Sequence, residues 1–378
     1  MIPIAVAILG LSLPLFADDA GTLEAAVEVV EDRFGDKVDS RQLYRAAVAG
    51  MAVHLDEMLG TEGNALLTSQ EAAEEQADRR GERYGIGVEF SVISQRGVVL
   101  TDVYPGGPGE RAGLRPGDFV VGVNGQPLTG MPGRVLHETL THIVGGKVTL
   151  DFRRDDAELR RISVDRGRYR VGGVRLVPQE APDITLVRVP FFGQGSAAAL
   201  AALLKGADEH DALILDLRHT EGGLLTEAVA AAELFLEPGS IVVKELDPSG
   251  DTRSTVAKGP QLWPGRVVVI VDRETAGPAE AFLMALHDNR RGRIVGTRTA
   301  GQASLTALHP ISRDLVLRLA ETTLLGPSGR SWGGAGVIPD IVVEPLDLVF
   351  PARPGQVPPD LQREAALQLT LNPGGMPR

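Results

Sequence analysis

The sequence contains no cysteine, which excludes structural disulfides, thiolate nucleophiles, iron–sulfur clusters and cysteine zinc sites, and leaves the redox compartment open. Lysine is scarce: only Lys37, Lys147, Lys205, Lys244 and Lys258 occur, so the last third of the chain has no lysine amine to offer. Positive charge is in deficit, 38 basic against 50 acidic residues, for a formal net charge of -12. No basic patch stands out, so phosphate backbones and anionic lipid surfaces are poor partners, and nucleic acid is not expected. The seven histidines (54, 137, 142, 210, 219, 287 and 309) form no HExxH motif. Only His137 and His142 stand close together, without a carboxylate cluster, and neither a metal nor a cofactor is expected. A phosphate-binding glycine motif followed by Lys-Ser or Lys-Thr is also missing.

What is present describes a folded, multi-domain protein. With 378 residues, 43% hydrophobic and 23% charged, the chain is long enough for two or three domains, each with its own core. Residues 1–16 are almost wholly apolar, and Ala17 precedes Asp18 and Asp19. Residues 1–17 therefore read as a signal peptide, although no Lys or Arg precedes the apolar run. The run is shorter than the roughly 20 residues of a membrane span and is broken by Pro14, so an exported, periplasmic location is expected, with no integral membrane segment after signal removal.

Residues 18–83 read as a helical leader. Leu23, Val27, Val30 and Phe34 recur at helical spacing, as do Leu43, Ala47, Met51 and Leu55, and the charge-rich stretch 70–83 is a solvated helix or a linker. Residues 84–168 then give short β-like runs bounded by Gly and Pro, among them GVEFSVI, GVVLTDVYP and KVTLDFRR. This stretch resembles a PDZ domain of the bacterial protease-associated kind, most specifically in AGLRPGD before FVVGVNG. Tyr84, Gly85, Ile86 and Gly87 read as a glycine loop whose backbone N–H groups can hold a C-terminal carboxylate, beside an edge strand that can accept an extended peptide.

From 169 to 350 the pattern changes to apolar strands alternating with helices: ITLVRVPFF, a helix around 197–206, ALILDLR, a helix around 224–236, RVVVIVD and a helix over 279–286. Such alternation implies an α/β core with a largely parallel sheet, into which the PDZ domain is inserted or which it precedes. Sites in such sheets form where strands end and helices begin, here at 216–223 and 271–280. Residues 351–378 read as a C-terminal tail around a short helix at 361–369.

Taken together, the chain resembles the carboxyl-terminal processing (tail-specific) serine proteases. LILDLRHTEGGLLTEAV looks like that family's strand, donor loop and helix; GRIVGTRTAGQAS looks like its lysine-bearing loop; GPSGRSWGGAGVIPDIVV looks like its closing segment. The resemblance implies a serine nucleophile, a neutral lysine base and backbone N–H groups that stabilise the oxyanion. With Glu280 as anchor, Gly277 falls at the serine position and Gln302 at the lysine position. Glycine has no nucleophile, and an amide is not a base at neutral pH. Pro278 follows the serine position and has no N–H to donate. Gly222 and Gly223 keep the other donor loop, where Thr220 and Glu221 replace the family's Asn-Pro, and Glu221 would oppose an oxyanion if it pointed inward.

These residues predict a pseudoprotease that binds protein or peptide C-terminal tails through its PDZ domain, with an active protease or a second copy as further partners. The alternative is a serine-type endopeptidase with a rearranged site, drawing on Thr275, Ser304 and His219. His287 is a poorer base, since Asp288 beside it should point elsewhere on the helix.

Overall fold

The computed structural model describes residues 19–61, 63–94, 97–128, 146–154, 158–177, 183–207, 212–345 and 359–371. The expected signal at 1–17, and His137, His142 and His210, lie outside the described residues. No helix among the described residues is long and apolar enough to cross a membrane.

The leader forms two helices, Asp19–Phe34 and Ser40–Leu59. Asp39 caps the second by accepting from Arg41 N at 2.9 Å, and Gly60 ends it in the left-handed conformation. The apolar stripe read from the sequence is only partly covered: Val27 is buried, whereas Leu23, Phe34 and Met51 are exposed, and in the second helix the buried residue is Ala52, outside the stripe. The charge-rich stretch is a helix, Ser69–Arg79, opened by a capping box in which Thr68 and Glu71 exchange hydrogen bonds. It is no free linker, because Arg79 Nη1 donates to Thr306 O at 3.1 Å and Arg318 Nη1 lies 2.8 Å from Glu75 Oε2.

The leader also supplies a strand to the core. Ala65–Thr68 pairs antiparallel with Leu315–Leu325, in a sheet that continues through Ile241–Leu246 to Thr252–Val256 and carries Ser304–Pro310 on Leu315–Leu325. Because core structure lies on both sides of it in the chain, the PDZ domain is an insertion. A two-stranded ribbon, Glu82–Gly85 against Gly167–Arg170, marks its entry and exit. Between them, Val88–Ser94, Gly97–Val103, Phe119–Val123, Lys147–Arg153 and Arg160–Asp165 form an antiparallel sheet in that order. Its core is Ile86, Leu100, Val120, Val148 and Leu150, each at most 1% exposed.

The main sheet runs Arg175–Val177, Ile184–Arg188, Ala212–Asp216, Val267–Val271, Gly292–Gly296, Ile341–Val342. Its first pair is antiparallel and the others are parallel, so the expectation of a largely parallel core holds for this sheet. It needs correction for the second, wholly antiparallel one. Every residue of Ala212–Asp216 and Val267–Val271 is buried, which requires cover on both faces. Leu213 and Leu215 pack under helices Ser196–Lys205, Leu225–Glu233 and Pro278–Asp288 with Phe192, Phe235 and Phe282, while Ala212 and Ile214 face the opposite side with Ala366. Ala366 belongs to helix Leu361–Leu371. Helix Leu361–Leu371 is therefore a covering element of the core.

Candidate functional site

Three loops at the carboxyl ends of the parallel strands lie side by side. Ala276 N donates to Thr220 O (3.0 Å) and Ala300 N donates to Thr275 O (3.0 Å), joining loop 217–223, turn 272–277 and loop 297–302. Glu280, fully buried in the first turn of helix Pro278–Asp288, fastens two of them. Its carboxylate accepts from Gly277 N at 2.9 Å, Gly301 N at 2.7 Å and Gln302 N at 2.8 Å, and also from the Thr299 hydroxyl. Burial pushes this carboxyl up, and those four donors pull against it.

Gly277 and Gln302, 25 residues apart in sequence, meet here. Gly277 has φ 61 and ψ -118, a conformation that side-chain-bearing residues rarely adopt, and a Cβ built on it would stand 3.9 Å from Gln302 Oε1 with no other atom within 4 Å. The space is open and the Gln302 side chain is exposed. Pro278, the first residue of the helix, presents a ring nitrogen where another residue would present an N–H.

The opposite wall is loop 217–223. Gly223 has φ 104, and a Cβ there would stand 2.7 Å from Phe192 O, so no other residue fits without moving the backbone. Glu221, which could have opposed an oxyanion, is held by Arg83: Nη1 lies 3.5 Å from its Oε1 and Nη2 donates to its carbonyl at 3.3 Å. Arg83 also pairs with Asp78 at 2.8 Å. Behind the loop, Arg188 Nη1 donates to Asp216 O (3.1 Å) and Thr220 Oγ1 (3.2 Å), while its Nη2 pairs with Glu89 of the PDZ edge strand at 3.2 Å. Arg218 pairs with Asp216 at 2.7 Å and with Asp360, before the C-terminal helix, at 2.8 Å. Burial alone would raise the Asp216 carboxyl, but the Arg218 guanidinium outweighs it and holds the group well below the usual range.

The remaining candidates are less free than their residue types suggest. Thr275 is fully buried, and its hydroxyl donates to Leu217 O at 2.9 Å and lies 3.1 Å from Asp272 Oδ1, which leaves it no approach to a substrate. His219 has a left-handed backbone, φ 51. Burial pulls its pKa down, but the hydrogen bond to Glu274 and the charge of Asp272 prevail and push it up to about 9. At neutral pH it is an imidazolium, a donor and not a base. Ser304 opens strand Ser304–Pro310, opposite Thr323. Contrary to the sequence expectation, Asp288 does approach His287, with Nδ1 to Oδ1 at 3.4 Å; the same carboxylate accepts from Ser328 N at 3.0 Å.

In the PDZ domain the four residues expected to form a peptide loop divide between two elements. Tyr84 and Gly85 lie in the ribbon, paired with Arg168 and Gly167, and the Tyr84 hydroxyl donates to Arg166 O at 3.3 Å. Only Ile86 and Gly87 form the turn, with the Ile86 side chain in the core and Ile86 O accepting from Gly109 N at 2.6 Å. Val88–Ser94, which follows, is an edge strand of its sheet. Among the described residues one histidine-carboxylate group was missed by sequence reading: His219, Asp272 and Glu274 converge. They are 53 and 55 residues apart, so no local spacing reveals them.

Comparison with known proteins extends these observations. A model of peptidase family S41 matches residues 183–343, and a PDZ domain model matches residues 99–154. A probable CtpA-like serine protease of Staphylococcus aureus is 26% identical over 330 residues, covering 85% of this chain and 64% of that protein. The chain thus spans just under two thirds of the length of that relative. A carboxy-terminal-processing protease of Bartonella bacilliformis is 28% identical over 321 residues, 81% of this chain and 70% of that one. The fold is shared with the photosystem II D1 C-terminal processing protease (TM-score 0.54, 23% identity, 87% of this chain and 94% of that one). It is shared also with a putative S41 protease from Bacteroides fragilis (TM-score 0.58, 17% identity, 77% and 84%). Residues 183–343 are thus a peptidase family S41 core with a PDZ domain inserted ahead of it, and across more than four fifths of its length the chain is similar to carboxyl-terminal processing proteases.

Proposed function

We propose that the chain is a carboxyl-terminal processing protease relative that has become a pseudoprotease: an exported protein that binds peptide or protein C-termini through its PDZ domain and does not cleave them. The observation that carries the reading is the pairing of Gly277 with Gln302, an empty Cβ position 3.9 Å from an amide oxygen, with Pro278 next in the chain. An acyl-enzyme needs a hydroxyl or thiol, a base to take its proton and donors for the oxyanion. Glycine, glutamine and proline at these positions supply none of the three. Tail binding is supported by the edge strand Val88–Ser94 beside the Ile86-Gly87 turn, the arrangement an added peptide strand requires.

A shifted nucleophile would have to come from Thr275, whose hydroxyl is bonded to Leu217 O, or from Ser304. The test is fluorophosphonate labelling and peptide cleavage by the purified protein, with mass-spectrometric mapping, alongside fluorescence-polarisation titration of C-terminal peptides and their amidated counterparts. Neither label nor cleavage is expected, together with binding that amidation abolishes. Labelling at Thr275 or Ser304, or robust cleavage, overturns the reading.

A further inference from the structure

The turn after Val267–Val271 and the loop after Ala212–Asp216 bring together three side chains that a peptidase site does not use. His219 Nδ1 and one carboxylate oxygen from each of Asp272 and Glu274 lie within 4.8 Å of one another. Two ligands of one ion with bonds of about 2.0–2.2 Å stand at most about 4.4 Å apart, so a small side-chain adjustment lets the three share one ion, which takes the place of the proton now held between His219 Nδ1 and Glu274. Asp272 is fixed in place: its Oδ1 accepts from His219 N (3.0 Å) and Glu274 N (3.1 Å) and lies 3.1 Å from Thr275 Oγ1, while Oδ2 stands 3.1 Å from His219 N and 3.4 Å from His219 Nδ1. A carboxylate oriented by backbone donors, with one oxygen also turned toward an imidazole nitrogen, has the outer-shell support that metal ligands need. The other described histidines differ: His54, His287 and His309 each face one carboxylate, Glu57, Asp288 and Glu321.

We propose that His219, Asp272 and Glu274 bind one Zn²⁺ ion, which clamps loop 217–223 to turn 272–277 beside the position that Gly277 leaves vacant. The donor set selects the ion. One imidazole nitrogen and two carboxylate oxygens suit a borderline cation, whereas Mg²⁺ and Ca²⁺ favour all-oxygen shells. His219 and Asp272 are half-buried and Glu274 is exposed, so three protein ligands would leave a solvent-facing position for water. The place also fits, because α/β sheets open their ligand crevices at the carboxyl ends of parallel strands.

The test uses the full chain stripped with chelator and titrated with Zn²⁺ by calorimetry, with Mg²⁺ as the control ion and Co²⁺ absorption as a coordination readout. The variants are His219→Asn, whose side chain tolerates a left-handed backbone, and Glu274→Gln; His309→Asn is the control substitution. Circular dichroism checks that each variant is folded. One Zn²⁺ per chain is expected, weakened at least tenfold by His219→Asn and by Glu274→Gln and unchanged by His309→Asn. The wild type should also show a visible Co²⁺ band that Mg²⁺ does not displace. Absence of saturable Zn²⁺ binding and of a Co²⁺ band in the wild type overturns the proposal without recourse to any variant. Binding that persists unchanged in either site variant overturns it as well, and leaves His219 a salt-bridged side chain.

Discussion

The framework around the Gly277–Gln302 gap and the gap itself are built to opposite standards. In the framework, Glu280 is fully buried and satisfied by four donors, and Arg218 binds two carboxylates. In the gap, a bare Cα faces an exposed amide across open space. The difference teaches that the carboxylate network holding the loops in place is independent of the groups that would react between them. A protease-like cleft can therefore remain rigid with no chemistry inside it, and rigidity is what a binding surface needs.

That contrast can be broken from the framework side first. Arg218→Ala leaves Asp216 buried and unpaired and releases Asp360, so urea denaturation should show a loss of about 4 kcal/mol. Glu280→Ala strands three backbone N–H groups and the Thr299 hydroxyl in the interior; about 3 kcal/mol is expected by the same measurement. The gap should behave differently. Gly277→Ser forces a side chain onto φ 61, ψ -118 and should cost only about 1–2 kcal/mol. Combined with Gln302→Lys it should still resist fluorophosphonate, because Pro278 donates no N–H. Labelling should appear only when Pro278→Ala is added.

The smallest effect is one of pH. His219 is pushed from 6.5 up to about 9 in the folded chain. In the chain stripped of metal, the stabilisation that its imidazolium provides is thus fully present below pH 6.5 and is lost as pH rises through 9. The unfolding free energy from urea denaturation should fall over that window by on the order of 1 kcal/mol, since the site is partly solvated, and His219→Asn should flatten the profile.

How much of this the sequence disclosed depended on range. The strands Ala212–Asp216 and Val267–Val271 were legible because five consecutive apolar or buried residues between turn signals leave little else to form. The Gly277–Gln302 pairing was also visible, since Glu280 fixes the register and its carboxylate spans both loops. The antiparallel sheet escaped notice: Ser304–Pro310 and Leu315–Leu325 are half-exposed and mixed in polarity, and the partner that completes them sits in the leader. That Tyr84 belongs to the ribbon and Ile86 to the turn was not legible, because a glycine-rich stretch gives no sign of where one stops and the other begins. The role of helix Leu361–Leu371 was hidden for a similar reason. Its most buried contact is the small side chain of Ala366, which carries little pattern.

The strand Ala65–Thr68 has a bearing on how the chain acquires its shape. The Asn64 side chain beside it accepts from Ala320 N at 2.7 Å, 256 residues later, whereas the PDZ strands from Val88 to Asp165 find all their sheet partners among themselves. On a ribosome the insertion can condense while the rest is still being made, and the sheet that frames it must wait for the residues beyond 315. During that interval Ala65–Thr68 is a lone edge with its hydrogen bonds unmet. A chain cut short before residue 315 would keep a finished PDZ module attached to a core that has no way to close.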